Sequence, residues 1–248
     1  MSDRHFGVGS DGLILICPSD RADFEMRMFN ADGSEGKMCG NAIRCVGKYV
    51  YDRGFTDRKT LQIDTRSGVK TLELTLEDGK VSTVRVDMGR ASLRARDIPV
   101  ETDYDDFVSQ PMLVHGEVFL VTCVSMGNPH AVIFCDDVED LPLEDIGPLF
   151  ENHEKFPDRI NTEFIELVDR QTLKMRVWER GSGETFACGT GACAAVVAAV
   201  VNGHCDAGDE VTVRLRGGEL KITCREDFTV LMEGPAAHVF DGVMEIDL

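Results

Sequence analysis

Positive charge is scarce in this chain. Its 248 residues carry 26 Lys+Arg against 44 Asp+Glu, a formal net charge of −18. A nucleic-acid binder needs a basic face to displace phosphate counterions, so that class is excluded. Docking on an anionic membrane surface is excluded on the same ground. Long apolar runs are lacking too. The longest, Ala192 to Val201, is too short to span a bilayer. The opening residues, Met-Ser-Asp-Arg-His-Phe-Gly, show no basic start, apolar stretch or cleavage site, so no signal peptide is expected. The nine cysteines include no Cys-x-x-Cys pair, which argues against zinc. Without a secretion signal they point to a reducing, cytoplasmic setting. What is present, 43% hydrophobic and 28% charged residues, suits a folded globular chain of one or two domains rather than a disordered one.

The chain repeats itself. Shifted so that Cys188 falls on Cys39, an offset of 149 residues, the two halves align without gaps. Ile16, Asp20, Arg21, Met26 and Arg27 meet Ile165, Asp169, Arg170, Met175 and Arg176. Glu35, Cys39 and Gly40 meet Glu184, Cys188 and Gly189, and further matches run through Gly54, Asp57 and Gly68 to Val81. The predicted elements agree. Phe24 to Phe29 and Thr172 to Trp178 alternate as strands do. Each is followed by a Gly- and acid-containing loop, then Cys-Gly, then a helix: Asn41 to Arg53 and Thr190 to Asn202. Both helices stop at a glycine, Gly54 and Gly203. Strand pairs Val69–Glu77 with Val81–Asp87, and Glu219–Cys224 with Phe228–Met232, complete each copy.

The second helix is apolar all round and must be surrounded. The expected fold is therefore α+β and duplicated: two pseudo-symmetric domains, each a curved antiparallel or mixed sheet wrapped round a central helix, with a cleft between. The halves are expected at 1–89 and 90–237, with a linker near Gly89 to Asp97 and an exposed acidic loop at Glu101 to Asp106. The stretch Ala237 to Leu248 reads as a strand, with 238–248 expected to return to the first half.

The paired cysteines carry the chemistry. A thiol at a helix N-terminus feels the positive end of the dipole, which lowers its pKa toward neutrality. The free N–H groups there can hold a carboxylate, and the following glycine lets a ligand approach. Either thiol alone would read as a buried structural residue. Two repeat-equivalent thiols facing one cleft suit removal of a Cα proton on one face and its return on the other, as in a racemase or epimerase. No lysine motif calls for pyridoxal phosphate and no metal cluster is visible, so no cofactor is expected. Cys45 and Cys193 are expected in the core, and Cys17, Cys123, Cys135, Cys205 and Cys224 are given no chemistry.

The strings FNADGSEGKMCGNAIRC, SMGNPHAV, FPDRIN and WERGSGETFACGTGACAA resemble the diaminopimelate epimerase family over nearly the whole chain. That resemblance implies cofactor-independent interconversion of LL- and meso-diaminopimelate in lysine and peptidoglycan precursor synthesis, by a cytoplasmic homodimer. It implies Cys39 and Cys188 as the acid/base pair, with His130 and Glu179 tuning the thiols. It also implies Asn30, Asn128 and Asn161 as substrate amides, Gly40, Asn41, Gly189 and Thr190 as helix-start donors, and Glu179 and Arg180 at the substrate's ends. A double zwitterion needs such a set: a carboxylate, a guanidinium fork and several amides. Plainer readings exist. His130 would cap a strand, Glu179 and Arg180 would be a surface ion pair, and Asn30 and Asn128 would serve their own turns. Glu35 and Glu184 read as loop-fixing rather than catalytic.

Proline and hydroxyproline racemases are similar in architecture, but their first motif has His after Cys-Gly where this chain has Asn41. Phenazine-type isomerases of the same fold lack the cysteine pair. A hydrolase with Cys188 as nucleophile and His130 as base would leave Cys39 and the duplication unexplained. A non-catalytic amino-acid-binding protein is the remaining alternative. One departure stands out: the family opens with a strand and a Gly-Asn-Asp turn that this chain does not show. A missing N-terminal segment of about 30 to 35 residues, and with it an exposed edge and weak or absent activity, is expected. Gly12, where some members carry Gln, reads as a subfamily difference.

Overall fold

Alternating apolar residues have a period of two, and two such runs, Phe24–Asn30 and Thr172–Glu179, are strands at equivalent places in the fold. The structure is a computed structural model that describes residues 1–244. The first half comprises β1 (Gly12–Cys17), β2 (Phe24–Asn30), β3 (Glu35–Gly36), α1 (Gly40–Asp52), β4 (Thr60–Thr65), β5 (Gly68–Glu77) and β6 (Lys80–Arg90). The second comprises β7 (Gln110–Val114), β8 (Glu117–Ser125), β9 (Pro129–Cys135), α2 (Leu143–Glu151), β10 (Asn161–Asp169), β11 (Thr172–Glu179), β12 (Gly183–Thr185), α3 (Gly189–Val201), β13 (Glu210–Leu215), β14 (Gly218–Cys224) and β15 (Thr229–Pro235).

The strands form one mixed sheet in the order β1-β2-β4-β5-β6-β15-β14-β13-β11-β10-β9-β8-β7, with β3 on β2 and β12 on β11. Read from either side, the order converges on the β6–β15 seam in the same way. The duplication extends to register: β2 pairs β4 in parallel through Phe24↔Ile63, and β11 pairs β13 in parallel through Leu173↔Val213. At the seam, Arg85 and Thr83 of β6 both donate to Glu233 of β15. Strands β7, β8 and β9 have no counterpart among the described residues of the first half.

Helices α1 and α3 begin one residue earlier than the periodicity predicts, so that Cys39 and Cys188 are their N-caps. Both end on a glycine in the left-handed region, Gly54 at φ 75° and Gly203 at φ 76°. The following amides, of Phe55 and His204, return to Val50 and Ala199 carbonyls at 2.9 and 2.8 Å. That geometry satisfies carbonyls the helix leaves free, and glycine alone adopts it without strain. Helix α3 is buried along nearly its whole length, and Ala192 to Ala199 pack into one core with Ile43, Val46 and Val50 of α1. A second core gathers Phe107, Met112, Phe150, Phe164 and Trp178 beneath α2. The acidic stretch at 101–106 is a largely exposed loop.

Two expectations require correction. Cys45 is exposed rather than core, because the α1 face bearing Ala42, Cys45 and Tyr49 turns to an open groove beside Ile14 and Ile16 instead of to the sheet. Residues 236–244 form no strand, and 245–248 lie outside the described residues. Asp241 of this tail pairs with Arg53 at the end of α1. Helix α2, which contains Pro148, was not among the predicted elements. No helix among the described residues is long and apolar enough to cross a membrane.

Candidate functional site

The N-termini of α1 and α3 abut. A Cβ placed on Gly40 would lie 3.7 Å from the Gly189 Cα, and Met232 of β15 underlies both glycines. Asn41 reaches across, its Nδ2 donating to the Ala187 carbonyl at 3.5 Å. Behind it, the buried Arg44 donates to the Gly40 carbonyl (3.0 Å), Asn41 Oδ1 (3.1 Å) and the Pro235 carbonyl (3.2 Å). Arg44 therefore fixes which way the Asn41 amide faces. Burial pulls the Arg44 pKa down, while the nearby thiols Cys45, Cys39 and Cys193 oppose that shift.

Both cysteines have the extended backbone of an N-cap, at φ −134° for Cys39 and φ −120° for Cys188. Their sulfurs are held differently. Cys188 Sγ accepts the Gly191 N–H at 3.3 Å and lies 3.5 Å from Thr190 Oγ1. Cys39 makes no side-chain capping bond. The expected fall in pKa at the helix start does not hold for Cys188. Burial raises it well above its ordinary value, with Glu179 and Glu163 adding to the rise. Thr190 and Gly191 offset only part of this, because removing a thiolate from water outweighs two hydrogen bonds in a dry site.

A polar chain leads away from Cys188, half-buried at Thr190 and Asn128 and fully buried beyond them. Asn128 Nδ2 donates to Thr190 Oγ1 at 3.2 Å, Asn128 Oδ1 faces His130 Nε2 at 3.1 Å, and His130 Nδ1 lies 2.7 Å from Glu163 Oε1. His130 and Glu163 are both 0% exposed. The β9–β10 register brings them together by placing Asn161 beside His130 in parallel strands, with Glu163 two residues on.

The segment after β11 is fastened at several points. Asn161 Oδ1 accepts the Arg180 N–H at 2.9 Å and its Nδ2 donates to the Pro129 carbonyl at 2.8 Å, tying the GNPH and ERG turns together. Each end of that amide retains further bonding capacity. Glu151 accepts the Trp178 indole N–H at 2.7 Å and the Gly181 N–H at 2.9 Å. Glu179 accepts from the Thr185 hydroxyl. Arg180 is exposed, donates to the Asp158 carbonyl and has no carboxylate partner among the described residues, so it is not ion-paired to Glu179. Asn30 is exposed at the end of β2 and donates to Ser34 Oγ within its own turn.

The repeat-equivalent glutamates hold their loops. Glu35 pairs with Arg27 and Glu184 with Arg176, each through Nε at 2.8 Å. Sequence reasoning missed Glu163, Arg44, Glu151 and Thr185. For Glu163 a signal existed: a carboxylate at an inward position of an apolar strand, where its register neighbours are Val132 and Val177.

A family model described as diaminopimelate epimerase matches residues 1–94 and 122–239. A diaminopimelate epimerase of Acetivibrio thermocellus is 58% identical over 249 residues, covering 100% of this chain and 88% of that one. One of Methanococcus maripaludis is 56% identical over 247 residues, covering 99% and 88%. Among solved structures, a hydroxyproline epimerase from Agrobacterium vitis with bound trans-4-hydroxy-L-proline superimposes with a TM-score of 0.69 at 13% identity, over 92% of this chain and 73% of that chain. At that identity the likeness shows the fold alone, and it agrees with the duplicated α+β reading.

Proposed function

The chain belongs to the diaminopimelate epimerase family, and on that premise we propose how its cleft interconverts LL- and meso-diaminopimelate. The observation that carries the mechanism is the meeting of two repeat-equivalent Cys-Gly helix starts. One of Cys39 and Cys188, as thiolate, removes the Cα proton from one face of the substrate. The other, as thiol, returns a proton to the opposite face. Reaction in the reverse direction exchanges their roles.

The substrate carboxylate sits between the two helix N-termini. Backbone N–H groups of Gly40, Asn41, Gly189 and Thr190 face it, with both dipoles favouring negative charge. As the Cα proton leaves, negative charge spreads onto that carboxylate, so the same donors bind the carbanion-like state more strongly than the ground state. Asn30, Asn128 and Asn161 supply amide contacts, and Glu179 and Arg180 take the ammonium and carboxylate at the distal end. His130 and Glu179 bias the charge state of the thiols. The halves 1–89 and 90–237 act as domains that close on the substrate and keep water from the carbanion.

The same reading makes the enzyme a cytoplasmic homodimer. The nine cysteines are all free, which suits a reducing compartment, and light scattering would give twice the 27.4 kDa chain mass. Deuterium incorporation at Cα of LL-diaminopimelate in D2O tests the chemistry. The wild-type protein should exchange and epimerise, and Cys39→Ala and Cys188→Ala should each lose epimerisation. A hydrolase would lose activity from only one substitution, and absence of exchange by the wild type would refute the reading.

A further inference from the structure

The protons in the chain behind Cys188 can be placed from its geometry. Asn128 Nδ2 is already given to Thr190 Oγ1 at 3.2 Å, so the amide presents its oxygen to His130 Nε2 at 3.1 Å. An acceptor facing Nε2 requires that Nε2 carry hydrogen. On the other side of the ring, Nδ1 and Glu163 Oε1 are 2.7 Å apart and share one further proton. Imidazolium with carboxylate, or neutral imidazole with carboxyl, both keep Nε2–H. A neutral imidazole protonated at Nδ1 would set two lone pairs against each other at Asn128.

Glu163 is placed to enforce this. Its Oε1 takes the Nδ1 side, and its Oε2 is buried with no partner among the described residues. A full charge there is costly, and burial raises the glutamate's affinity for the shared proton. The other titratable groups around it are Glu179, Cys188 and Cys123. Glu163 also touches the helix start directly: a Cβ on Gly191 would come within 2.6 Å of Oε1. Thr190, which accepts from Asn128, has its own hydroxyl hydrogen free for the Cys188 sulfur at 3.5 Å. Among the described residues nothing equivalent serves Cys39. The repeat position of Glu163 in the first half is Ile14, and the Cys39 side chain caps nothing.

We propose that Glu163 is a positioning residue: it holds His130 with Nε2–H and, through Asn128, turns the Thr190 hydroxyl onto the sulfur of Cys188. The proposal rests on Cys188 being one of the two acid/base thiols.

Iodoacetamide alkylation, quantified at Cys188 and Cys39 separately by peptide mass mapping, tests it. Glu163→Leu and Glu163→Gln both remove the carboxylate that raises Cys188, so the two variants are compared with each other. The Leu variant should be alkylated at Cys188 about tenfold more slowly than the Gln variant, the loss of one hydrogen bond to a charged sulfur, with Cys39 the same in both, because the Gln amide donates to Nδ1 and keeps Nε2–H. Long-range proton–nitrogen spectra of wild-type enzyme labelled at histidine nitrogen add a measurement that needs no stable variant at Glu163. One imidazole, assigned by its loss in His130→Gln, should show a protonated Nε2. An acceptor-type Nε2 signal would overturn the proposal. So would a Gln variant as slow as Leu at Cys188, or a Leu variant slower than Gln at both thiols alike. Alkylation reads the thiol without turnover, so a wild-type protein inactive on diaminopimelate would sink the functional reading and leave this one to its own data.

Discussion

Replacing Glu151 should damage stability and substrate binding together. Glu151 ends α2, where the helix dipole is negative and a carboxylate is unfavourable. It is nonetheless 5% exposed. Three donors hold it: the Trp178 indole N–H at 2.7 Å, the Gly181 N–H at 2.9 Å and Arg159 at 3.0 Å. The arginine side chain is 53% exposed and returns to water when the carboxylate goes, so its share is small. The indole is left in dry surroundings, whereas Gly181 is exposed and its amide regains water. An orphaned buried donor costs about 1–3 kcal/mol, so Glu151→Ala should lose about 2 kcal/mol. For a chain of this size that lowers Tm by about 5 °C. Glu151→Gln should fall between, since its carbonyl satisfies one donor while its amide opposes another. Release of Gly181 also frees the turn that carries Glu179 and Arg180, and KM for diaminopimelate should rise about tenfold, the worth of one lost orienting contact. Calorimetry and steady-state kinetics measure both effects. An Ala variant with unchanged Tm and KM would refute the reasoning, as would a Gln variant less stable than Ala.

Other perturbations follow from the same geometry. Gly191→Ala pushes a methyl to 2.6 Å from Glu163 Oε1, and urea denaturation should show a loss of about 1–3 kcal/mol; an unchanged midpoint would contradict the close approach. Arg176→Met leaves Glu184 with only Arg216 among the described residues and strips a donor from the Val138, Glu139 and Leu141 carbonyls, so it should cost about 3 kcal/mol. Its repeat partner Arg27→Met, at a side chain 42% exposed against 7%, should cost under about 1 kcal/mol, and equal losses would undo the argument. Burial pushes Cys135, Cys205 and Cys224 up to about 11. Their folded pKa lies above the ordinary 9.0, so the stability they give is complete below pH 9.0 and is lost as pH rises toward 11. Under reducing conditions the urea midpoint should fall over that window and fall less steeply in Cys224→Val; a parallel curve for the variant would count against this.

How much of the site was legible in advance can be seen from individual residues. Gly54 and Gly203 marked both helix ends because chain reversal there needs a positive φ, a local property. Cys39 and Cys188 could be paired because duplication copies position as well as sequence. Arg27 with Glu35, and Arg176 with Glu184, kept their eight-residue spacing and so their contact. Glu163, by contrast, stands out locally only as a carboxylate in an apolar strand, and its meeting with His130 depends on the parallel register of β9 and β10. Glu151 lies in a helix with no counterpart among the described residues of the first half, so the repeat gave no cue.

By itself the sequence determined the duplicated α+β plan, the two cysteines at helix starts and the class of reaction. These follow from periodicity, from the conformations glycine permits and from what a thiol next to free N–H groups can do. Only the tertiary structure decided how alike the two thiols are. Burial and neighbouring carboxylates raise Cys188 against the pull of its helix, and a four-residue polar chain reaches its sulfur from the far side. Desolvation and charge act through space, so equivalent positions in the chain can acquire different electrostatics once the halves fold against different neighbours.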